Sequence, residues 1–154
     1  GYADMDDDSI NRFTSMARLL GAMPGFVLDF TDCDVDGRAW NFSCDDMYER
    51  AKQMVKDKKG LLVICSPLCS VRLRRATLSG EYRGELARLR YDHAKHLQRC
   101  LELHRIHCDN RLYYFHEHMT KADSWQHNIV KSFVKETGAH IVKSRMSEFE
   151  FQCP

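Results

Sequence analysis

The sequence predicts an α/β fold, a mostly parallel sheet with helices on both faces. Three observations predict it. Helical and extended segments alternate regularly along the chain, beginning with a helix and ending with a strand. One extended segment, residues 61–65, is a continuous apolar run of strand length, as expected of a strand covered on both faces. The length of 154 residues, 44% of them apolar, lets one domain bury a core without disulfides or metal.

Each element has a local justification. Residues 1–8 are acidic and read as a flexible lead; residues 9–154 read as a single domain. Ser9 caps a helix through Leu20, with Ile10, Phe13, Met16, Ala17 and Leu20 at helical spacing. Gly21 and the pair Pro24-Gly25 end it. Residues 26–30 read as a short strand. Asp32-Cys33-Asp34-Val35-Asp36-Gly37 opens like a calcium-binding loop, but Ser43 stands where the twelfth-position glutamate is needed, so it reads as a turn. Asp45 or Asp46 caps a helix over 47–58, whose end carries Lys56, Lys58 and Lys59, where the helix dipole favours cations. Gly60 stops it. The apolar strand 61–65 ends at Ser66-Pro67, and a basic loop covers 68–80. A long helix follows over 81–109. Leu86, Leu89, His93, His96, Leu97, Cys100, Leu101, His104 and Cys108 give it one apolar-to-histidine face, and Asn110 caps its end. Residues 112–117 form a strand, 124–136 a helix stopped by Gly138, and 139–143 a last strand.

Composition excludes several classes. No apolar run approaches the ~18 residues of a membrane span. The N-terminus has the character of neither a signal nor a transit peptide. Sixteen aromatics and a net charge of +1 argue against disorder. Charge is unevenly spread: residues 1–50 carry eleven acids and four bases, residues 51–122 fifteen bases and seven acids. A basic centre beside an acidic start suits a polar or anionic ligand. Seven cysteines without a secretory signal read as reduced thiols in an intracellular protein of nucleus or cytoplasm. The abrupt ends at Gly1 and Pro154 point to a fragment of a longer chain.

In such folds ligands bind beyond the carboxyl ends of the strands. Asp29 follows the first strand, where a carboxylate commonly accepts both hydroxyls of a nucleotide ribose; a turn carboxylate is the plainer reading. Ser66-Pro67-Leu68-Cys69-Ser70 follows the second. There a thiol near Arg72, Arg74 and Arg75 would have a lowered pKa and act as a nucleophile, against an ordinary small apolar cysteine. Glu117 follows the third strand, within reach of a substrate held by Cys69, while His116 and His118 point to the opposite face.

The order strand, S-P-x-C, long helix, strand ending at a glutamate is similar to that of the C5-cytosine DNA methyltransferases. More extensively, the chain resembles the methyltransferase-like segments of Copia-type retroelement polyproteins. The matching pieces run from Ser9 through Pro24-Gly25-Phe26-Val27-Leu28-Asp29, Trp40-Asn41-Phe42, Leu61 to Cys69, His96-Leu97 with Cys100, and His116-Glu117-His118 to Ser124-Trp125. The resemblance implies a Rossmann-like methyltransferase core whose first strand and glycine-rich loop are missing or lie outside this chain. It implies S-adenosylmethionine as cofactor, held by Asp29, Asn41, Ser66 and Pro67. It implies Cys69 as the nucleophile on C6 of a flipped-out cytosine and Glu117 as the acid holding the base edge, with Arg72, Arg74 and Arg75 on backbone phosphates. The chain departs from the family pattern at Asn41, where the family has aspartate, and at Met119, where it has proline.

Three alternatives stay open. His96, Cys100, His104 and Cys108 lie at four-residue steps on one helical face and could hold zinc, although three such steps span ~18 Å and a helix face packed on the sheet explains them more simply. Arg83, Arg88 and Arg90, interleaved with Tyr82 and Tyr91, could bind nucleic acid without chemistry, against a solvated helix face paired through Glu81, Glu85 and Asp92. A catalytically silent retroelement remnant would keep the same hydrophobic pattern.

Overall fold

The computed structural model describes residues 18–19, 21–23, 25–28, 33–58, 60–67 and 83–143. In chain order they form helix α1 (Asp45–Lys58), strand β1 (Leu62–Cys65), helix α2 (Arg83–Asp109), strand β2 (Tyr113–His116), a 3-10 turn (Asp123–Gln126) and helix α3 (Asn128–Thr137). The chain divides into two compact units, the first ending at Ala51 and the second beginning at Lys52. Among the described residues no helix is long and apolar enough to cross a membrane.

The first unit is organised by a turn. Asp34 carboxylate oxygen Oδ1 accepts the backbone N–H groups of Asp36 and Arg38, both at 2.9 Å. Gly37 supplies the left-handed backbone, at φ 74°, that closes the turn, and Cys33 and Ala39 meet in an antiparallel bridge. The acids that resemble a calcium loop are answered by arginines instead. Arg50 donates to Asp34 and Asp36 at 2.7 Å each, and Arg38 pairs with Asp46. The Asp34 pKa is lowered chiefly by the N–H of Arg38. Trp40, Phe42, Met47, Tyr48 and Ala51 are buried, with Phe42 and Tyr48 meeting edge to face.

The second unit is built on two parallel strands. β1 pairs with β2 in the register Leu62↔Tyr113, Val63↔Tyr114, Ile64↔Phe115, Cys65↔His116. Paired residues share a face, so Cys65, Tyr114 and His116 turn inward, and Leu62, Ile64, Tyr113 and Phe115 turn outward and are exposed. α2 packs on both strands from the inner side, and α3 packs on α2. Leu97 and Leu101 of α2 and Val130 and Phe133 of α3 form the core, joined by Tyr114, Trp125 and Ile129. Arg105 covers its edge, ion-paired to Glu136 with its guanidinium 4.9 Å above the Phe133 ring.

This architecture is mixed α/β with a parallel strand pair bridged by a helix. Several elements lie where the sequence predicts. α1 begins at Asp45 and α2 ends at Asp109, where the Asn110 side-chain amide donates to the Ile106 carbonyl at 2.7 Å. Gly138, at φ 67°, terminates α3. Four expectations need correction. Residues 26–28 form no strand, because no partner among the described residues satisfies their backbone. Residues 139–143 form none either, and Ile141 and Val142 are exposed. β1 is covered on one face, not two, among the described residues. The helix expected over 124–136 is broken at His127, whose backbone is extended. Side-chain anchors hold the preceding 3-10 turn: Ser124 bonds His118, and the Trp125 indole donates to the Met119 carbonyl at 2.9 Å. The helix expected over residues 9–20 and the loop 68–80 lie almost wholly outside the described residues.

Leu97 is fully buried at the centre of this core. Leu97→Ala is expected to destabilise the chain by about 2–5 kcal/mol in urea unfolding. Gly138→Ala is expected to cost about 1 kcal/mol, because alanine is strained at this positive φ.

Candidate functional site

The carboxyl ends of β1 and β2 stand side by side because the register is parallel and in step. The ladder continues one residue beyond the strands, with Glu117 N–H donating to the Cys65 carbonyl at 3.0 Å. Ser66 and Glu117 therefore leave the sheet together. The Ser66 hydroxyl donates to Glu117 Oε2 at 3.0 Å, at an exposed edge. Pro67, next in the chain, is buried and fixes the direction of exit. This pair is the one contact among the expected site residues that the described part of the chain contains. Asp29, Cys69, Arg72, Arg74 and Arg75 lie outside the described residues.

Behind this edge, on the inner side, lies a layer of imidazoles. His104, fully buried on α2, has Nε2 3.1 Å from Nδ1 of His116 on β2. His107 Nδ1 donates to the Tyr113 carbonyl at 2.9 Å. His118 Nδ1 lies 2.9 Å from Ser124 Oγ. The rings of His93 and His116 flank that of His118, each centroid 6.4 Å away. His116 and His118 share the inner face, and Glu117 between them points out, as alternation along an extended chain requires. The histidine face of α2 is thus a helix face packed on the sheet, its ring tips bonded to strand and turn. The far nitrogens of His116 and His118 are buried without a hydrogen-bond partner among the described residues.

Burial favours the neutral form of His96, His107, His116 and His118. Desolvation, then the nearby His104 and His118, pull the His116 pKa from 6.5 to about 4. Desolvation, then His93 and Arg99, do the same to His96, to about 4. His118 and His107 are lowered in the same sense, burial leading in both. Among the described residues no three His, Cys, Asp or Glu side chains are grouped so as to hold a metal ion.

The sulfur chemistry of this interior was not evident from sequence. Cys65, the last residue of β1, has the Cys100 thiol as its leading hydrogen-bond partner, with His104 nearby. The Cys100 hydrogen bond, helped by His104, lowers the Cys65 pKa against the opposing effect of burial; the same bond and burial raise that of Cys100. In the sequence Cys65 is hidden as one more residue of an apolar run. Its position one residue before the strand exit was the available signal.

Of the side chains expected to hold S-adenosylmethionine, Asn41, Ser66 and Pro67 lie among the described residues. Asn41 Oδ1 accepts the Ser43 N–H at 2.9 Å in a local turn. Ser66 gives its proton to Glu117, and Pro67 is buried. On α2, Arg88 is exposed and lies 3.9 Å from Asp92, a solvated helix face. Comparison of the chain with family models, curated proteins and solved structures returns no significant match.

The neutral histidines tie stability to pH. Unfolding restores His96 and His116 to pKa values near 6.5, so the unfolded chain takes up protons first as pH falls. Their contribution is complete above about 6.5 and is lost progressively as pH falls through about 4. Each histidine is expected to add up to ~1.4 kcal/mol per pH unit to the slope of stability within that window. Urea midpoints measured across it check this, and His116→Gln should flatten the slope.

Proposed function

We propose that this chain is a methyltransferase-like domain, of the kind carried in Copia-type retroelement polyproteins, that binds and acts on a nucleobase, with cytosine in DNA as the first candidate. The observation that carries this reading is the Ser66–Glu117 hydrogen bond at the exit of two in-register parallel strands. It supports the juxtaposition on which the reading depends, because the S-P-x-C segment and the H-E-H segment leave the sheet at one point.

In this reading Ser66 occupies one carboxylate oxygen of Glu117 and holds its plane. The other oxygen accepts a hydrogen bond from the exocyclic amine of cytosine. Thymine has a carbonyl at that position and would be repelled. Cys69, two residues beyond Pro67, adds as thiolate to C6 of the base. Arg72, Arg74 and Arg75 hold the strand by its phosphates.

Binding of single-stranded oligonucleotides differing only in cytosine or thymine tests the reading. Wild type is expected to prefer cytosine, and Glu117→Gln to weaken that preference by about 1–3 kcal/mol. Equal affinity for the two bases would sink it. Replacing Arg72, Arg74 and Arg75 by alanine should reduce the salt dependence of binding by ~0.7 in log–log slope for each phosphate no longer neutralised. Thiolate addition at C6 labilises the hydrogen on C5 without any methyl donor, so tritium release from C5-labelled cytosine DNA should occur in wild type and vanish in Cys69→Ser. Titration of S-adenosylmethionine, with Asp29→Ala as control, reports the cofactor separately.

A further inference from the structure

Two buried cysteines of the second unit take no part in that reading. Cys65 stands beside His116 in the parallel ladder. Cys100 lies one helical turn before His104 on α2, and α2 packs on both strands. His104 closes the set by its contact with His116 at 3.1 Å. Two neighbouring strand residues and two helix residues one turn apart thus face each other across the inner side of the sheet. The Cys100 thiol donates a hydrogen bond to the Cys65 sulfur. Cys65 is 8% exposed against 2% for Cys100, and the exposed Ser66 follows it.

We propose that Cys65 and Cys100 form a peroxide-reactive dithiol in which Cys65 attacks the hydroperoxide and Cys100 resolves the product into a Cys65–Cys100 disulfide. The Cys65 thiolate attacks one oxygen of hydrogen peroxide. The S–O bond forms, the O–O bond breaks, and hydroxide leaves and is protonated to water. Cys100 then gives up its proton and attacks the Cys65 sulfur. The S–S bond forms, the S–O bond breaks, and the departing hydroxide takes up a proton. Two thiols and one peroxide become one disulfide and two waters; the dithiol loses the two electrons that the peroxide gains.

The geometry divides the roles. The hydrogen bond from Cys100 stabilises negative charge on Cys65, the less deeply buried of the two residues. The deeper Cys100 stays protonated until the first step has changed its neighbour. Sulfurs already in hydrogen-bond contact need only a small approach to reach the ~2.05 Å of a disulfide. The new bond would staple α2 to β1 one residue before Ser66.

The test uses the full reduced chain, treated with hydrogen peroxide, alkylated and mapped by mass spectrometry. The expected product is a Cys65–Cys100 linked peptide, with a net loss of two hydrogens, while Cys33 and Cys44 stay alkylated. Cys100→Ser should accumulate a sulfenic acid at Cys65, trapped by dimedone, and Cys65→Ala should leave Cys100 reduced. Circular dichroism establishes that each variant is folded. Peroxide that consumes other cysteines while Cys65 and Cys100 remain reduced in the wild-type chain overturns the proposal. So does a purified chain holding one equivalent of zinc that blocks both thiols.

Discussion

The parallel register between β1 and β2 is the constraint from which the second unit follows. A one-residue slip of β1 against β2 would turn Cys65 outward and place Ile64 against α2. In the observed register the inner face presents Cys65, Tyr114 and His116 to the helix, and the core of Leu97, Leu101, Val130 and Phe133 closes beside them. The same register makes Ser66 and Glu117 exit together, so the hydrogen bond between them is a consequence of strand pairing. Parallel pairing itself requires a crossover, and α2, at 27 residues, supplies it while carrying Cys100 and His104 to the inner face.

The interior created by this packing is unusually polar. His104 and His107 are buried, and His93, His96, His116 and His118 are partly so. A protonated imidazole there would have to give up its hydration. Desolvation therefore dominates at His96 and His116, and these two rings stay neutral at ordinary pH. Neutral rings can accept and donate, which is how His104 meets His116 and how His118 bonds Ser124. Cys65 belongs to the same network, because a sulfur beside hydrogen-bond donors carries negative charge more readily than one in an apolar pocket. The exposed Ser66–Glu117 edge and the buried thiols are thus neighbours on one strand end with opposite solvent environments.

The elements most legible in the sequence were those with strong local signals. α1 has acids at its start and lysines at its end, and the structure keeps both. α2 has an apolar-to-histidine stripe whose Leu97, Cys100, Leu101 and His104 are buried, joined by Arg99, Leu103 and His107, which lie outside the stripe read from sequence. Gly138 ends α3 for a local reason, its left-handed backbone. The short segments over 26–30 and 139–143 have strand-like composition, but a strand also needs a neighbour to take its hydrogen bonds, and composition carries no information about neighbours. The break at His127 depends on Ser124 reaching His118 and Trp125 reaching Met119, contacts that a helical periodicity in the sequence does not encode. Glu117 was identified at its strand end, whereas its bond to Ser66, 51 residues away, needed the sheet.

By itself the sequence determined α1, β1, α2 and β2 in that order, part of the inward set of α2, the acidic and basic halves, and Ser66 and Glu117 at the strand exits. These follow from periodicity, capping and charge, which act over a few residues. Only the tertiary structure decided which strand ends lie together, that one face of the strand pair remains open among the described residues, and that Cys65 meets Cys100 and His104. Those outcomes depend on register and on helix packing, where residues far apart in the chain compete for the same buried space and a shift of a single residue reverses the answer.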